Sequence, residues 1–537
     1  MNLWMPTDLR ERMLARSAER AVRALPMVFS SPTFALRTPA MNVFHALETS
    51  LSRHHDRAAF FINGMTYTYS QFTERIDAQR AWLRAHLSAE EKLVGLLGHD
   101  ELDTYASIMA LWAEGKAYLP LAPHAPPDRN DGIITKAGVR VLLSAREHEH
   151  PGAFTLVRTD ILPSAPSLGP FVPSDATELA YVLFTSGTTG QPKGVPITRS
   201  NLQAFIEAQA CMAITIGPDD RCLQMFELTF DVSVMSYVLA LMNGACVHTV
   251  PQNVIKPLFI AELMEGRALT WAAMVPSVIT YLRPYFDEMC YPSLKACVFA
   301  GEALPLELTA AWSACAPNAR IFNAYGPTEH TIVCTKYLFR REGGNKELNG
   351  IMAIGASMGD SRLVLVDEDL RILPSGSKGE LCLSGPQLTS GYWNDPERTA
   401  EVMFTTSHEG RPTRFYRTGD LCYMDDEQDI IYLGRIDQQA KIQGFRVELG
   451  EVEHYARVFL GSVNVAALAV QNEFGTTEIA LCIEGPGPVP DDLIDRMRTK
   501  LPAYMIPNRV RCVRQFPLGT SGKTDRNALR TQFMATT

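Results

Sequence analysis

Apolar residues recur along the chain with two different spacings. In "NVFHALETSLSRHH" (42–55) they fall three and four apart, which predicts one buried face of a helix. "LKACVFAG" (294–301) is a short apolar run closed by a glycine and reads as a buried strand. "LPLELTAAWSACAP" (304–317) returns to helical spacing, and "ARIFNAYG" (319–326) predicts the next strand. Such alternation implies an α/β fold of stacked, largely parallel sheets covered by helices. "KGELCLSGPQLTSGYW" (378–393) and "DIIYLGRIDQQAKIQGFRVELGEVE" (429–453) are richer in β-formers and turns, which predicts a small β-subdomain. The charged, turn-rich stretch at Asp437 marks a boundary. The expected organisation is an N-terminal arm over 1–40, a large core over 41–436 and a small mobile α+β domain over 437–537.

Composition narrows the class. The 537 residues are 46% hydrophobic and 20% charged, as in ordinary globular proteins. A net charge of −9 speaks against nucleic acid as a partner. No run of about eighteen apolar residues is present, so no membrane span is expected. The first twenty residues lack the apolar stretch of a secretory signal, and Asp8, Glu11 and Glu19 are unlike a transit peptide. Eleven cysteines, an odd number without a CxxC pair, predict neither a disulfide scaffold nor a zinc site. A reducing compartment, the cytoplasm, and a monomer are the expectations.

The clearest chemistry lies in "YVLFTSGTTGQPKGVPIT" (181–198). A strand-like run gives way to glycines and hydroxyls, then to a lysine. Gly187 and Gly190 let backbone N–H groups approach an anion, and Thr185, Ser186, Thr188 and Thr189 add hydroxyl donors. Lys193 supplies a cation. The set suits a polyphosphate, although the spacing is not that of a Walker loop.

Further motifs follow in order: "FDVSV", "NAYGPTE", "GYWNDPERTAEVMF", "YRTGDL", "GRIDQQAKIQGFRVELGEVE", "LPAYMIP" and "LGTSGKTDRNAL". With the glycine–hydroxyl loop they make eight, spread over about residues 41–530, and together the chain resembles the adenylate-forming enzymes. That superfamily comprises acyl-CoA synthetases, luciferases and the adenylation domains of nonribosomal peptide synthetases. The resemblance implies ATP and Mg²⁺ as cofactors. It places the loop on the β- and γ-phosphates, with Gly301, Glu302, Ala324 and Gly326 also at the nucleotide. Asn323 would bond the adenine edge, Tyr325 would stack on the ring and Thr328 would donate to the α-phosphate. Glu329 would hold the metal, a task suited to a hard oxygen ligand. Asp420 and Arg435 would take the ribose, and Lys523 would stabilise the charge that builds as a carboxylate attacks phosphorus. Asp437 matches the hinge, and Gly444 would leave room for a pantetheine arm.

Asp231 matches the residue that, in amino-acid-activating members, pairs with the α-ammonium group. A buried aspartate without a cation is costly, so its presence favours an amino acid over a fatty or aryl acid. The side-chain pocket carried over by resemblance comprises Val232, Met235, Ala273, Val298, Ala300, Ala324, Ile332 and Val333. It holds no charge and no hydroxyl, which implies a large apolar side chain, aromatic first and branched aliphatic second. No condensation or carrier motif is present, so a freestanding enzyme loading a separate phosphopantetheinylated carrier protein is expected. Three alternatives remain open: a D-alanine–carrier-protein ligase, an acyl- or aryl-CoA ligase, and a catalytically silent nucleotide-binding scaffold.

Overall fold

Two helices buried on nearly every face organise the molecule. In Leu102–Ala113 only Asp103 escapes full burial, and in Asp231–Leu241 only Val232 does. A helix apolar on all sides must lie between layers. The first packs on a six-stranded sheet, the second on a nine-stranded one, and both contribute to one continuous core. Tyr118 of the smaller sheet meets Tyr237 of the second helix, hydroxyl to hydroxyl at 2.9 Å. The computed structural model describes residues 42–148, 154–187, 192–437, 439–461, 463–518 and 524–535. The proposed arm over 1–40 lies outside them.

The expected strands and helices are present. The 42–55 segment forms Val43–Arg53, capped by the Asn42 side chain. Ala296–Phe299 and Arg320–Tyr325 are parallel neighbours, joined by the helix Leu306–Cys315. Pairing in both large sheets is mainly parallel, with antiparallel partners at the edges. A third sheet of five antiparallel strands joins Arg362–Val366, Lys378–Ser384, Arg411–Met424, Met403–His408 and Ile430–Arg435. Its register sets Asp420 opposite Arg435.

Beyond Asp437 a hairpin of Gln439–Ile442 and Phe445–Glu448 leads into the helix Leu449–Leu460. A three-stranded sheet of Val465–Gln471, Thr477–Glu484 and Arg509–Val513 follows. Its two hydrophobic clusters are built from residues after Gln439 alone. Among the described residues no helix is long and apolar enough to cross a membrane. All eleven cysteines are free.

Candidate active site

The site lies where strand ends of both large sheets meet the third sheet and the Gln439–Glu448 hairpin. Thr185 and Lys193 face each other across the antiparallel pair that flanks the glycine–hydroxyl loop. Thr185, Ser186, Gly187 and Lys193 are described; Thr188, Thr189, Gly190 and Lys523 lie outside the described residues. Lys193 is buried, 3.2 Å from the Tyr392 hydroxyl and 3.5 Å from Glu329 Oε1. Burial, then the neighbouring Arg446, brings its pKa down to about 8.

Glu329 sits on a short 3₁₀ turn, Thr328–His330, directly after the strand Arg320–Tyr325. Its side chain is fully buried, with Tyr392 donating to Oε1 at 2.7 Å and Arg446 to Oε2 at 2.8 Å. Burial alone would push this carboxyl up. Arg446 and Lys193 more than offset it and hold the group well below the usual carboxylate range.

The turn that follows is strained. Thr331 and Ile332 adopt φ of 49° and 73°, a left-handed conformation uncommon outside glycine. It folds Ile332 and Val333 back so closely that a Cβ on Gly326 would meet Val333 Cα at 2.5 Å. Glycine at 326 is therefore a packing requirement.

A cavity of ≈ 410 Å³ opens beside this turn, lined in part by Asn323, Ala324, Tyr325, Asp420 and Arg435. The Asn323 amide donates to the carbonyls of Met352 and Ala353 at 3.3 and 3.0 Å. Asp420 accepts from Tyr325 through Oδ2 and from Arg435 through Oδ1 at 2.8 Å. Gly301 and Glu302 border the same space, with Glu302 accepting the Ser277 amide at 2.8 Å. Arg435 also grips Asp437, so the proposed ribose pair and the proposed hinge are tied by one guanidinium.

Asp231 opens the helix Asp231–Leu241, where the helix dipole favours a negative charge. Burial nevertheless wins and raises its pKa to about 6, against help from Thr328 and Lys441. Its Oδ2 is buried and has no hydrogen-bond partner. A cavity of ≈ 90 Å³ adjoins it, lined by the apolar Val232, Ala300, Ile332 and Val333 together with polar groups such as Thr185, Thr328, Asp420 and Arg435. Met235, Ala273 and Val298 are fully buried in the core rather than on this cavity, and Ala324 faces the larger one.

The hairpin closes the site. A Cβ on Gly444 would meet Val275 Cγ1 at 2.5 Å, and the Gly444 carbonyl lies against Gly301. Lys441, half-buried and shared between the two cavities, has its pKa lowered by burial and then by Arg446. Lys441, Arg446 and Tyr392 had no role assigned from sequence. Each lies inside a quoted motif, but a motif match does not say which side chains turn inward.

The AMP-binding enzyme family matches residues 47–393. Tyrocidine synthase 3 of Brevibacillus parabrevis is 31% identical over 97% of this chain, which spans only 8% of that protein. The Vibrio cholerae adenylation domain AlmE, solved with glycyl-adenosine-5'-phosphate, superposes with a TM-score of 0.80 at 25% identity, covering 94% of this chain and 100% of AlmE. The o-succinylbenzoate CoA synthetase MenE of Bacillus subtilis shares the fold, with a TM-score of 0.78 over 90% of this chain and 98% of its own, at 18% identity. The chain spans less than half the length of the curated relatives it matches. The match to the AMP-binding enzyme family spans more than half of the sequence, and the chain belongs to the AMP-binding, adenylate-forming enzymes.

Proposed function

We propose that the protein adenylates an α-amino acid with an apolar side chain and passes it to the phosphopantetheine thiol of a carrier protein. Asp231 carries the choice of substrate. A buried carboxylate with one orphaned oxygen lacks a positive partner, and an α-ammonium group supplies one. Val232, Ala300, Ile332 and Val333 give this cavity an apolar wall, and a polar side chain lying against them would lose water without gaining a partner. The cavity of ≈ 90 Å³ favours a branched aliphatic side chain over an aromatic one, the reverse of the order expected from residue sizes alone.

In the first half-reaction the amino acid carboxylate attacks the α-phosphorus of ATP and pyrophosphate leaves. Asn323 would hold the adenine edge, Tyr325 would face the ring, and Asp420 with Arg435 would take the ribose. Thr328 would bond the α-phosphate, and Lys523 would bridge the two anions as they meet. Glu329 fits a magnesium ion, because that metal binds through one or two carboxylates plus substrate phosphates and needs no all-protein cage. Bound magnesium would neutralise charge on the β- and γ-phosphates, with Lys193 and the loop hydroxyls holding the rest.

In the second half-reaction the C-terminal domain, turning about Asp437, would present Gly444 to the adenylate. A channel of ≈ 500 Å³ supports that reading: it is lined by Phe226, Val275 and Tyr281 and shares Val232, Ala300 and Gly444 with the amino-acid cavity. Its continuity with that cavity past Gly444 suits a pantetheine arm.

ATP–pyrophosphate exchange with a panel of α-amino acids, fatty acids and aryl acids is the deciding experiment. Branched aliphatic amino acids are expected to support the fastest exchange. Faster exchange with a fatty or aryl acid would overturn the reading. Loading assays with a carrier protein and with coenzyme A, which bears the same thiol arm, then separate the two acceptors.

A further inference from the structure

Ile332 and Val333 reach the amino-acid cavity from a turn that is strained by itself. Ile332 is β-branched, and a φ of 73° makes it an outlier for such a residue. Backbone of this kind persists only where its surroundings over-determine it. Here the surroundings are supplied by Gln387, in the turn that follows the strand Lys378–Ser384. Its carboxamide nitrogen lies 3.1 Å from the Thr331 carbonyl and 3.0 Å from the Val333 carbonyl, one on each side of Ile332, with the His330 carbonyl at 3.4 Å. Carbonyls only accept, so the end facing them is the NH₂, and its two protons match the two nearer oxygens. The other end, Oε1, accepts from Ser361 Oγ at 3.2 Å, and the Gln387 backbone carbonyl accepts from Thr331 Oγ1 at 2.6 Å. Asn201 of the helix Arg199–Ala208 donates to the carbonyls of Pro386 and Leu388 at 2.7 and 3.1 Å, which fixes the backbone on both sides of Gln387. Gln387, Thr331, Ile332 and Val333 are all buried.

We infer that Gln387 determines side-chain specificity without touching the substrate: it is the positioning residue that holds Ile332 and Val333 as a wall of the amino-acid cavity. The inference deepens the reading of that cavity as the side-chain site and rests on it. Gln387 itself does not line the cavity. Without its two donors the carbonyls of Thr331 and Val333 are buried and unpaired, and the left-handed conformation of Ile332 loses its clamp. The turn then relaxes and the wall moves with it. The Ile332 amide is also turned toward the Asp231 carboxyl and helps keep it charged. One bent peptide thus serves both the apolar wall and the partner of the ammonium group. The phosphate side is held by other groups: Tyr392, Arg446 and Lys193 grip the Glu329 carboxylate, and the Thr389 amide bonds the Glu329 carbonyl at 2.9 Å.

Gln387→Met keeps length and volume and removes both donors, so it isolates the clamp. ATP–pyrophosphate exchange of the full chain, run with the best branched aliphatic amino acid and with alanine, gives a ratio of two kcat/KM values. That ratio is expected to fall by about tenfold or more, the worth of a methylene contact in an apolar pocket, while KM for ATP is unchanged. A fold-wide defect would depress both substrates alike and leave the ratio where it was. Ile332→Ala removes the wall directly, and adding Gln387→Met to it should change the ratio no further, because both act through one contact. Thr331→Val loses the hydroxyl bonded to the Gln387 carbonyl and should lower the ratio too, whereas Thr331→Ser keeps that hydroxyl and should hold the parent value. An unchanged ratio in Gln387→Met overturns the inference, as does full additivity with Ile332→Ala. Should Gln387→Met not fold, an unchanged ratio in Thr331→Val overturns it instead. A parent enzyme that prefers a fatty or aryl acid would sink the substrate reading, and the same ratio, taken between that acid and a smaller homologue, would still test the clamp.

Discussion

Glu329 and Asp231 are both buried carboxylates of one site, yet they are held in opposite electrostatic states. Glu329 is enclosed by a guanidinium, an ammonium and a phenol, and these keep it charged well into acid. Asp231 has the start of a helix, a hydroxyl and a more distant lysine, and burial still lifts it to about 6. The protein supplies its own cations on the phosphate side and leaves the amino-acid side one short. An unpaired buried charge persists where a ligand completes it, because folding alone would select against it. On the proposed reading, the missing cation is the α-ammonium group of the substrate.

Removing Glu329 should have the largest effect. Glu329→Gln removes the carboxylate that pairs with Lys193 and Arg446 and, with it, the proposed metal ligand. Exchange with every amino acid is expected to fall by about 10²–10³-fold, the loss typical of a preorganised electrostatic group. Thermal unfolding should show a lower Tm as well. Parallel survival of exchange and stability would remove Glu329 from the site.

Asp231→Asn should separate function from stability. Truncating one member of a buried charge pair costs about 2–5 kcal/mol, so KM for the amino acid should rise by about 30-fold or more. The ligand-free protein should move the other way. A folded pKa raised from 3.8 to about 6 contributes stability that is present below pH 3.8 and lost as pH rises through 6. At pH 7 that loss is complete, and an uncharged side chain avoids it. Asp231→Asn is therefore expected to be about 1–3 kcal/mol more stable than the parent at pH 7, with the advantage gone near pH 4. Denaturant unfolding at both pH values measures it, and destabilisation at pH 7 would show that Asp231 already has a partner.

The same titration should appear in binding. An α-ammonium needs the charged form of Asp231, so affinity for the amino acid should weaken as pH falls through about 6, approaching tenfold per unit. Glu329 stays charged over this range and adds no inflection. Asp231→Asn should flatten the profile, and an inflection that survives the substitution belongs to another group.

This contrast was only half legible in the sequence. Spacing alone marked the strands Ala296–Phe299 and Arg320–Tyr325 and the helix between them, because burial imposes its period on apolar residues. The loop pointed to Lys193 through its chemistry, and the resemblance carried by "NAYGPTE" pointed to Glu329. Arg446 and Tyr392 were not legible as their partners, since they come from 117 and 63 residues away along the chain. Such pairs are set by how sheets and hairpin pack, which no local pattern encodes. The pocket shows the same limit. Eight apolar positions were equivalent on paper, and only the folded chain sorts Val232, Ala300, Ile332 and Val333 onto the cavity from Met235, Ala273 and Val298 in the core.

That sorting yields the smallest predicted effect and the most selective one. Ala300 lines the amino-acid cavity and is almost fully buried, at 3% exposure. Leucine there would fill much of ≈ 90 Å³, and overpacking a close-packed site costs about 1–3 kcal/mol. Branched aliphatic substrates should lose about 5- to 150-fold in kcat/KM, while glycine and alanine, which leave the cavity empty, should lose little. Ala273→Leu is the matched control. It enlarges a residue of the core that does not touch the cavity, so it should lower Tm and depress all substrates alike. Loss of every substrate in parallel by Ala300→Leu would move that residue into the core with Ala273. The charge argument at Asp231 would stand even then, because it depends on an orphaned oxygen and not on volume.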